Sequence, residues 1–268
     1  MNKTIEDIKN YWNHRPCNIK HSDENEYNKK FFDQVEERRY FVEHHILDFA
    51  DFKRWKGKKV LEIGCGIGTD SKKFAEAGAD LTVVDLSDKS LEICKKRFEE
   101  YDLQAKFYSG NSENLSNIVP IEEYDLIYSF GVIHHTTYPE KVLSEIQKYM
   151  SQDSEIRIML YKKICWKTLD FFFWNGHKFG YDFAKTSQYF AEAQLNCPVA
   201  FFYSKNELLK LFKNYNIISI ENKFIFPYDV KSYINKIYKK RFIFKLLPVK
   251  WLEKFLGQHW LITAKLKK

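Results

Sequence analysis

The run Glu62-Ile63-Gly64-Cys65-Gly66-Ile67-Gly68-Thr69 sets three glycines at alternate positions behind the apolar stretch Lys59-Val60-Leu61-Glu62-Ile63. Glycines there let the chain turn tightly and bring backbone N–H groups against a ligand, and a helix opening behind them favours electron-rich groups. Asp85 closes a second apolar stretch, Asp80-Leu81-Thr82-Val83-Val84-Asp85, where a carboxylate can accept the hydroxyls of a ribose. Loop, flanking elements and distal acid together point to a nucleoside cofactor far more strongly than the loop alone. The pair His134-His135 follows a further apolar run, Asp125-Leu126-Ile127-Tyr128-Ser129-Phe130. An imidazole titrates near neutrality and can take a proton from a hydroxyl.

Between Lys59 and Met159, short β-branched runs alternate with amphipathic ones. The pattern predicts strands over Lys59–Ile63, Asp80–Asp85, Ala105–Ser109, Tyr124–Phe130 and Glu155–Leu160. It predicts helices over Asp70–Ala77, from a cap at Asp88 through Tyr101, and over Glu140–Met150. Strands and helices alternating at this spacing call for an α/β fold: a mostly parallel sheet, helices on both faces, and a site at the carboxyl ends of the strands. Residues 31–51 read as one long amphipathic helix, and Tyr11 to Asn28 as a polar loop or lid. The aromatic-rich stretch from Lys162 to Ser204 has no clear period, and its Phe171-Phe172-Phe173-Trp174 run fits an acceptor-covering element as well as packed core. Ser204 is placed to cap a helix through Phe212, and strands are expected over Ile217–Phe226 and His259–Leu266. Four segments follow: an amino-terminal helical lid (1–56), a cofactor-binding core (57–161), an insertion (162–203) and a carboxyl-terminal completion of the sheet (204–268).

Dinucleotide sites favour G-x-G-x-x-G, whereas here the spacing is G-x-G-x-G with Glu62 just ahead. This resembles motif I of the class I S-adenosylmethionine-dependent methyltransferases, whose loop holds the aminoacyl tail of the cofactor. Asp85-Leu86-Ser87 is similar to the ribose-holding motif of that family, and Gly110-Asn111-Ser112-Glu113 to the adenine-capping one, with Asn111 where Asp is more frequent. The segment through Phe130 to His135 resembles the fourth-strand motif of the small-molecule subset that carries a His-His pair. The resemblance spans about residues 57–161 and implies a Rossmann-like, seven-stranded fold. It implies S-adenosylmethionine as cofactor and S-adenosylhomocysteine as product, held by Glu62, Gly64, Cys65, Gly66, Gly68, Asp85, Leu86, Asn111, Ser112 and Phe130. Related O-methyltransferases use a histidine after the fourth strand as base, which favours His134 with His135 second. No carboxylate follows the fifth strand to orient it; Tyr161 and Lys162 stand there, Tyr161 as an acceptor contact.

The segment Tyr11-Trp12-Asn13-His14-Arg15 supplies rings with polar tips. Tyr11 can face the sulfonium, Trp12 can contact the acceptor, and Arg15 can hold an acceptor phosphate or carboxylate. No Asn-Pro-Pro-Tyr motif stands after the fourth strand, no nucleophilic Cys lies in that loop, and no acidic metal-ligand set is found at that edge. DNA-base methylation and a metal cofactor are therefore not expected.

The 268 residues are 44% hydrophobic and 29% charged, too apolar for a disordered chain, and no run is long enough to span a bilayer. The polar amino end lacks an apolar signal region, which makes the cytoplasm the expected compartment. Five scattered cysteines encode neither a disulfide framework nor a zinc finger. The net charge of +7 concentrates between Lys231 and Lys254, among aromatic residues. That stretch suits a solvated helix face or an anionic partner. The favoured function is methyl transfer to an oxygen of a small, anionic acceptor: a sugar, a nucleotide-linked or phosphorylated intermediate, or a surface-glycan precursor. An RNA- or protein-modifying methyltransferase gripping through the basic stretch is the alternative. A nicotinamide enzyme and a non-catalytic partner subunit rank below it, and the oligomeric state is not encoded.

Overall fold

The computed structural model describes residues 4–186, 189, 197–225 and 249–267. Seven strands form the main path of the sheet in the order β3-β2-β1-β4-β5-β8-β7: β1 (Lys59–Ile63), β2 (Asp80–Asp85), β3 (Lys106–Ser109), β4 (Tyr124–Phe130), β5 (Met150–Lys162), β7 (Tyr215–Lys223) and β8 (His259–Leu266). The two-residue β6 (Phe202–Tyr203) pairs beside β5. Strand β8 runs antiparallel to both of its neighbours, and the other main pairings are parallel. The chain order reverses between β1 and β4, and a crevice opens at such a point beyond the carboxyl ends of the strands.

Strand alternation sorts the core into two layers. Leu61, Ile63, Ile127, Ile156, Ile158 and Ile262 face one way, with α6 (Pro139–Gln147) and α8 (Lys205–Leu211) over them. Val60, Val83, Leu126, Tyr128, Met159 and Leu261 face the other, against α3 (His45–Ala50), α4 (Thr69–Glu76) and α5 (Asp88–Glu100). Glu62, Phe130, Tyr161 and His259 fall by the same parity on the second face. This parity decides which side chains can meet at the crevice.

Several local expectations are corrected. The segment read as one helix is two, α2 (Lys29–Val42) and α3, because the chain leaves helical geometry at Glu43. Ser87, not Asp88, caps α5, accepting from the Ser90 N–H at 3.0 Å. The amino-terminal segment holds α1 (Ile5–His14), started by a capping box between Thr4 and Asp7. Helix α6 ends at Gln147 and β5 begins at Met150, five residues ahead of the expected Glu155. In the insertion, α7 (Trp166–Asn175) leaves Phe173 80% and Trp174 60% exposed, so that part of the aromatic run is not core. Beyond β7 only α9 (Val249–Leu256) of the basic stretch is described; residues 226–248, including Lys239, Lys240 and Arg241, lie outside the described residues.

Candidate active site

The crevice is a cleft of about 1030 Å³, its open mouth included. The glycine loop forms its floor. A Cβ on Gly64 would collide with Val132, and one on Gly68 would lie 2.5 Å from the Cys94 sulfur. Both glycines are thus required by packing, and Gly68 does not line the cleft, which corrects its expected ligand contact. Gly66 differs: its φ of +53° needs glycine, and a Cβ there would meet nothing within 4 Å. Its bare backbone faces the opening.

Asp85 ties the loop to β2. Its Oδ2 accepts from Gly66 N and its Oδ1 from Ser87 N, each at 2.8 Å. Burial raises its pKa to about 6 against the pull of those two N–H donors. A carboxylate has about four acceptor positions, so Asp85 keeps capacity for a hydroxyl of a ligand. Glu62 is 3% exposed; its carboxyl lies beside the Ser71 hydroxyl, and its Oε2 has no hydrogen-bond partner of good geometry among the described residues. Burial, reinforced by the neighbouring Asp70 charge, pushes its pKa up to about 8. An orphaned buried acceptor lining the cleft is the complement of an ammonium group. Asn111 caps the following turn by accepting from Glu113 N at 3.0 Å, which leaves one lone pair of its amide oxygen. Cys65, Leu86, Ser112 and Phe130 also line the cleft.

Helix α1 closes the cleft from above. Ile5, Ile8 and Trp12, on one helical face, line it. Asn13 pins the helix to the post-β2 turn, its Oδ1 accepting from Ser87 Oγ at 2.9 Å and Lys89 N at 3.2 Å. Tyr11 does not reach the lining; its ring stands edge-on against Trp12, at 4.9 Å. Arg15 is exposed and engages Tyr11, away from the cleft, so neither occupies its expected place.

The histidine pair divides unexpectedly. His134 is fully buried beneath the wall, its ring 3.9 Å from that of Tyr161 and 4.3 Å from that of His135. Burial drives its pKa well below the usual value. The expected preference for His134 as the base is therefore corrected: it does not line the cleft, and His135 does. His135 Nδ1 lies 2.7 Å from the Val199 carbonyl oxygen. A carbonyl only accepts, so Nδ1 carries the proton and Nε2 the lone pair. The orienting partner comes from the insertion, which is why no nearby carboxylate revealed it. Burial lowers the His135 pKa to about 4. Tyr161 stacks behind this pair, outside the lining, rather than contacting an acceptor.

Sequence reasoning missed a clamp. Arg39 of α2 donates from Nε to Asp70 Oδ1 at 3.0 Å and from Nη2 to Oδ2 at 2.8 Å. The hydroxyls of Tyr40 and Tyr128 donate to the same carboxylate at 2.9 and 3.1 Å. Asp70 opens α4 directly behind the glycine loop, so the clamp fixes α2 over the cofactor end. Asp70 within Gly68-Thr69-Asp70 was the available signal, but its partner lies 31 residues away.

Residues 60–153 match the model of a methyltransferase domain family. A ubiquinone biosynthesis O-methyltransferase of Bordetella avium is 32% identical over 88 residues, 33% of this chain and 36% of that protein. One of Nitrosospira multiformis is 34% identical over 86 residues, 32% of this chain and 36% of that protein. The chain thus spans little more than a third of the length of these relatives. Among solved structures, geranyl diphosphate C-methyltransferase from Streptomyces coelicolor, in complex with Mg2+, geranyl diphosphate and S-adenosylhomocysteine, superposes with a TM-score of 0.62 at 14% identity, covering 98% of both chains. Magnesium protoporphyrin IX methyltransferase from Synechocystis, with bound S-adenosylmethionine, gives 0.57 at 12% identity, over 98% of this chain and 97% of that one. The fold is that of the class I methyltransferases, and the segment from Val60 to Asp153 is a methyltransferase domain.

Proposed function

We propose that this chain transfers the methyl of S-adenosylmethionine to an oxygen of a small, uncharged acceptor. The observation that carries this reading is His135, its tautomer fixed by Val199, on the wall of the same cleft whose floor is the glycine loop. In the proposed arrangement Asp85 accepts the ribose hydroxyls, Glu62 faces the ammonium of the aminoacyl tail, and Gly66 lets the backbone approach it. The residues fit the cofactor: Glu62 has a buried acceptor without a partner among the described residues, and Asp85 keeps acceptor capacity beside its N–H donors.

When bound, the cofactor supplies a methyl already activated by a positive sulfur. The chain's own work is alignment, exclusion of water and removal of the acceptor proton. Helix α1 and Trp12 cover the cleft, and the Nε2 of His135 receives the proton. A weakly basic imidazole suits an acidic hydroxyl of phenolic type better than an aliphatic one of a sugar.

Charge also speaks against the expected anionic acceptor. Among the described residues lining the cleft, Arg39 is the basic side chain, and Asp70 and Glu43 already hold it. Asp70 and Asp85 line the same space and Asp70 holds Arg39, so among the described residues a phosphate or carboxylate would meet no unpaired positive charge. The O-methyltransferase names of the curated relatives point the same way on the atom methylated. Labelled S-adenosylmethionine offered with matched phenol, sugar and sugar-phosphate panels tests the proposal. Transfer to phenolic oxygen supports it; transfer to sugar phosphates alone, or to none with S-adenosylhomocysteine failing to bind, overturns it.

A further inference from the structure

Behind the cleft wall lies a second polar cluster that the methyl-transfer reading leaves unused. His45, at the start of α3, and His259, at the start of β8, point their rings at one another, with His45 Nε2 and His259 Nδ1 3.1 Å apart. Both residues are buried, at 4% and 2% exposure. Glu43, in the break between α2 and α3, completes the group, and one ligand atom from each of the three lies within 4.8 Å of the others. The residues belong to opposite ends of the chain, 214 positions apart in the case of the histidines. They meet because strand parity turns His259 to the α3 face, directly across from Tyr161 on β5.

We propose that Glu43, His45 and His259 form a binding site for a borderline divalent cation of the zinc class. Two imidazoles and a carboxylate are a donor set that such an ion takes, with a fourth position for water or another oxygen. Two ring nitrogens 3.1 Å apart stand within a few tenths of an ångström of the roughly 3.3 Å that separates two ligands on a tetrahedral ion with Zn–N of about 2.0–2.1 Å. The other ring nitrogen of His45, Nδ1, is buried without a partner among the described residues. Phe130, Phe224 and Tyr161 wall the cluster with aromatic faces, a low-dielectric shell that strengthens metal–ligand attraction.

Two cations stand nearby. Arg39, whose Nη1 is 3.4 Å from Glu43, is already held by Asp70. Lys167, at the start of α7, acts electrostatically on both Glu43 and His259. The site adjoins the cleft, because Phe130 and Arg39 line the cleft and also contact the cluster. An ion there would clip the α2–α3 corner to the last strand and stiffen the wall beside the acceptor. The earlier expectation of no metal rested on ligands sought next to the fourth strand in sequence, whereas these come from the two ends of the chain.

The test uses the full chain, stripped with chelator and titrated with Zn2+ and, for its visible spectrum, Co2+. Binding of one Zn2+ per chain, a raised Tm and a Co2+ spectrum of low-coordinate nitrogen–oxygen type are expected. Glu43→Gln and His259→Gln should each weaken Zn2+ binding at least tenfold while S-adenosylhomocysteine affinity stays within threefold. Should His259→Gln fail to fold, Glu43→Gln, at a half-buried position, carries the test alone. No stoichiometric Zn2+ in the folded wild type, or equal affinity in wild type and Glu43→Gln, overturns the proposal. Neither result bears on the methyltransferase reading, which the S-adenosylhomocysteine titration examines separately.

Discussion

The ring of His135 is held by the backbone carbonyl of Val199, 2.7 Å from Nδ1, across 64 residues of chain. The segment after β5 therefore reaches back to set the tautomer of a side chain after β4, and the nitrogen left to accept a proton is Nε2. Below that ring the His134 imidazole packs between His135 and Tyr161.

The two histidines should consequently fail differently when truncated. His135→Ala should lower kcat by about 10²–10⁴ with S-adenosylhomocysteine affinity within threefold. His134→Ala should act on stability, by about 2–4 kcal/mol for a large buried side chain removed. Denaturant melts and steady-state kinetics on both variants check this. A kcat loss confined to His134→Ala would return the base to that residue.

Cofactor binding should release a proton near neutral pH. Burial holds the Glu62 pKa at about 8 in the free protein, so at pH 7 the carboxyl is mostly protonated, and an ammonium beside it would drive ionisation. Calorimetry of S-adenosylhomocysteine in buffers of different ionisation enthalpy reads the proton directly, and affinity should rise between about pH 6 and 8. Glu62→Gln should abolish the buffer dependence.

The same group has a sign for stability without ligand. Its folded pKa is raised above the unfolded one, so the native state binds the extra proton between the two values, and stability from this residue falls as pH rises from about 4.5 to about 8. A urea series across that range should show wild-type stability declining relative to Glu62→Gln.

Gly66 and Gly68 should separate binding from folding. Gly66→Ala meets open space and carries a left-handed backbone cost of about 1–2 kcal/mol, but its methyl enters the ligand's side of the loop. Cofactor affinity should fall by more than tenfold in a folded protein. Gly68→Ala drives a Cβ to 2.5 Å from the Cys94 sulfur and should lower Tm further than Gly66→Ala does. Equal Tm values for the two would refute the packing argument.

Breaking the clamp should be costly in one order and cheap in another. Arg39→Met leaves the buried Asp70 carboxylate with only two tyrosine hydroxyls, at a cost of about 3–5 kcal/mol. Adding Asp70→Leu removes the stranded charge and should recover much of that loss. Chemical denaturation of the single and double variants decides it.

Much of the sheet was readable from the chain. Strand β4 and strand β8 have the expected bounds, because β-branched runs flanked by polar residues leave little choice of register. The G-x-G-x-G loop and Asp85 were equally legible, since local backbone geometry forces glycine at Gly66 and the following strand must end beside it. Helix breaks were less so: Glu43 and His44 fit a helical period, and only the docking of α3 on the second face ends α2 there.

What the sequence by itself determined is the set of local elements and the cofactor loop, whose causes lie within a few residues of their effects. Tertiary structure alone decided which of His134 and His135 faces the cleft, that Arg39 is consumed by Asp70 rather than free for an acceptor, and that His45 and His259 meet. Each of these depends on strand parity and crossover packing that join residues from 31 to 214 positions apart, distances over which side-chain periodicity carries no information about partners.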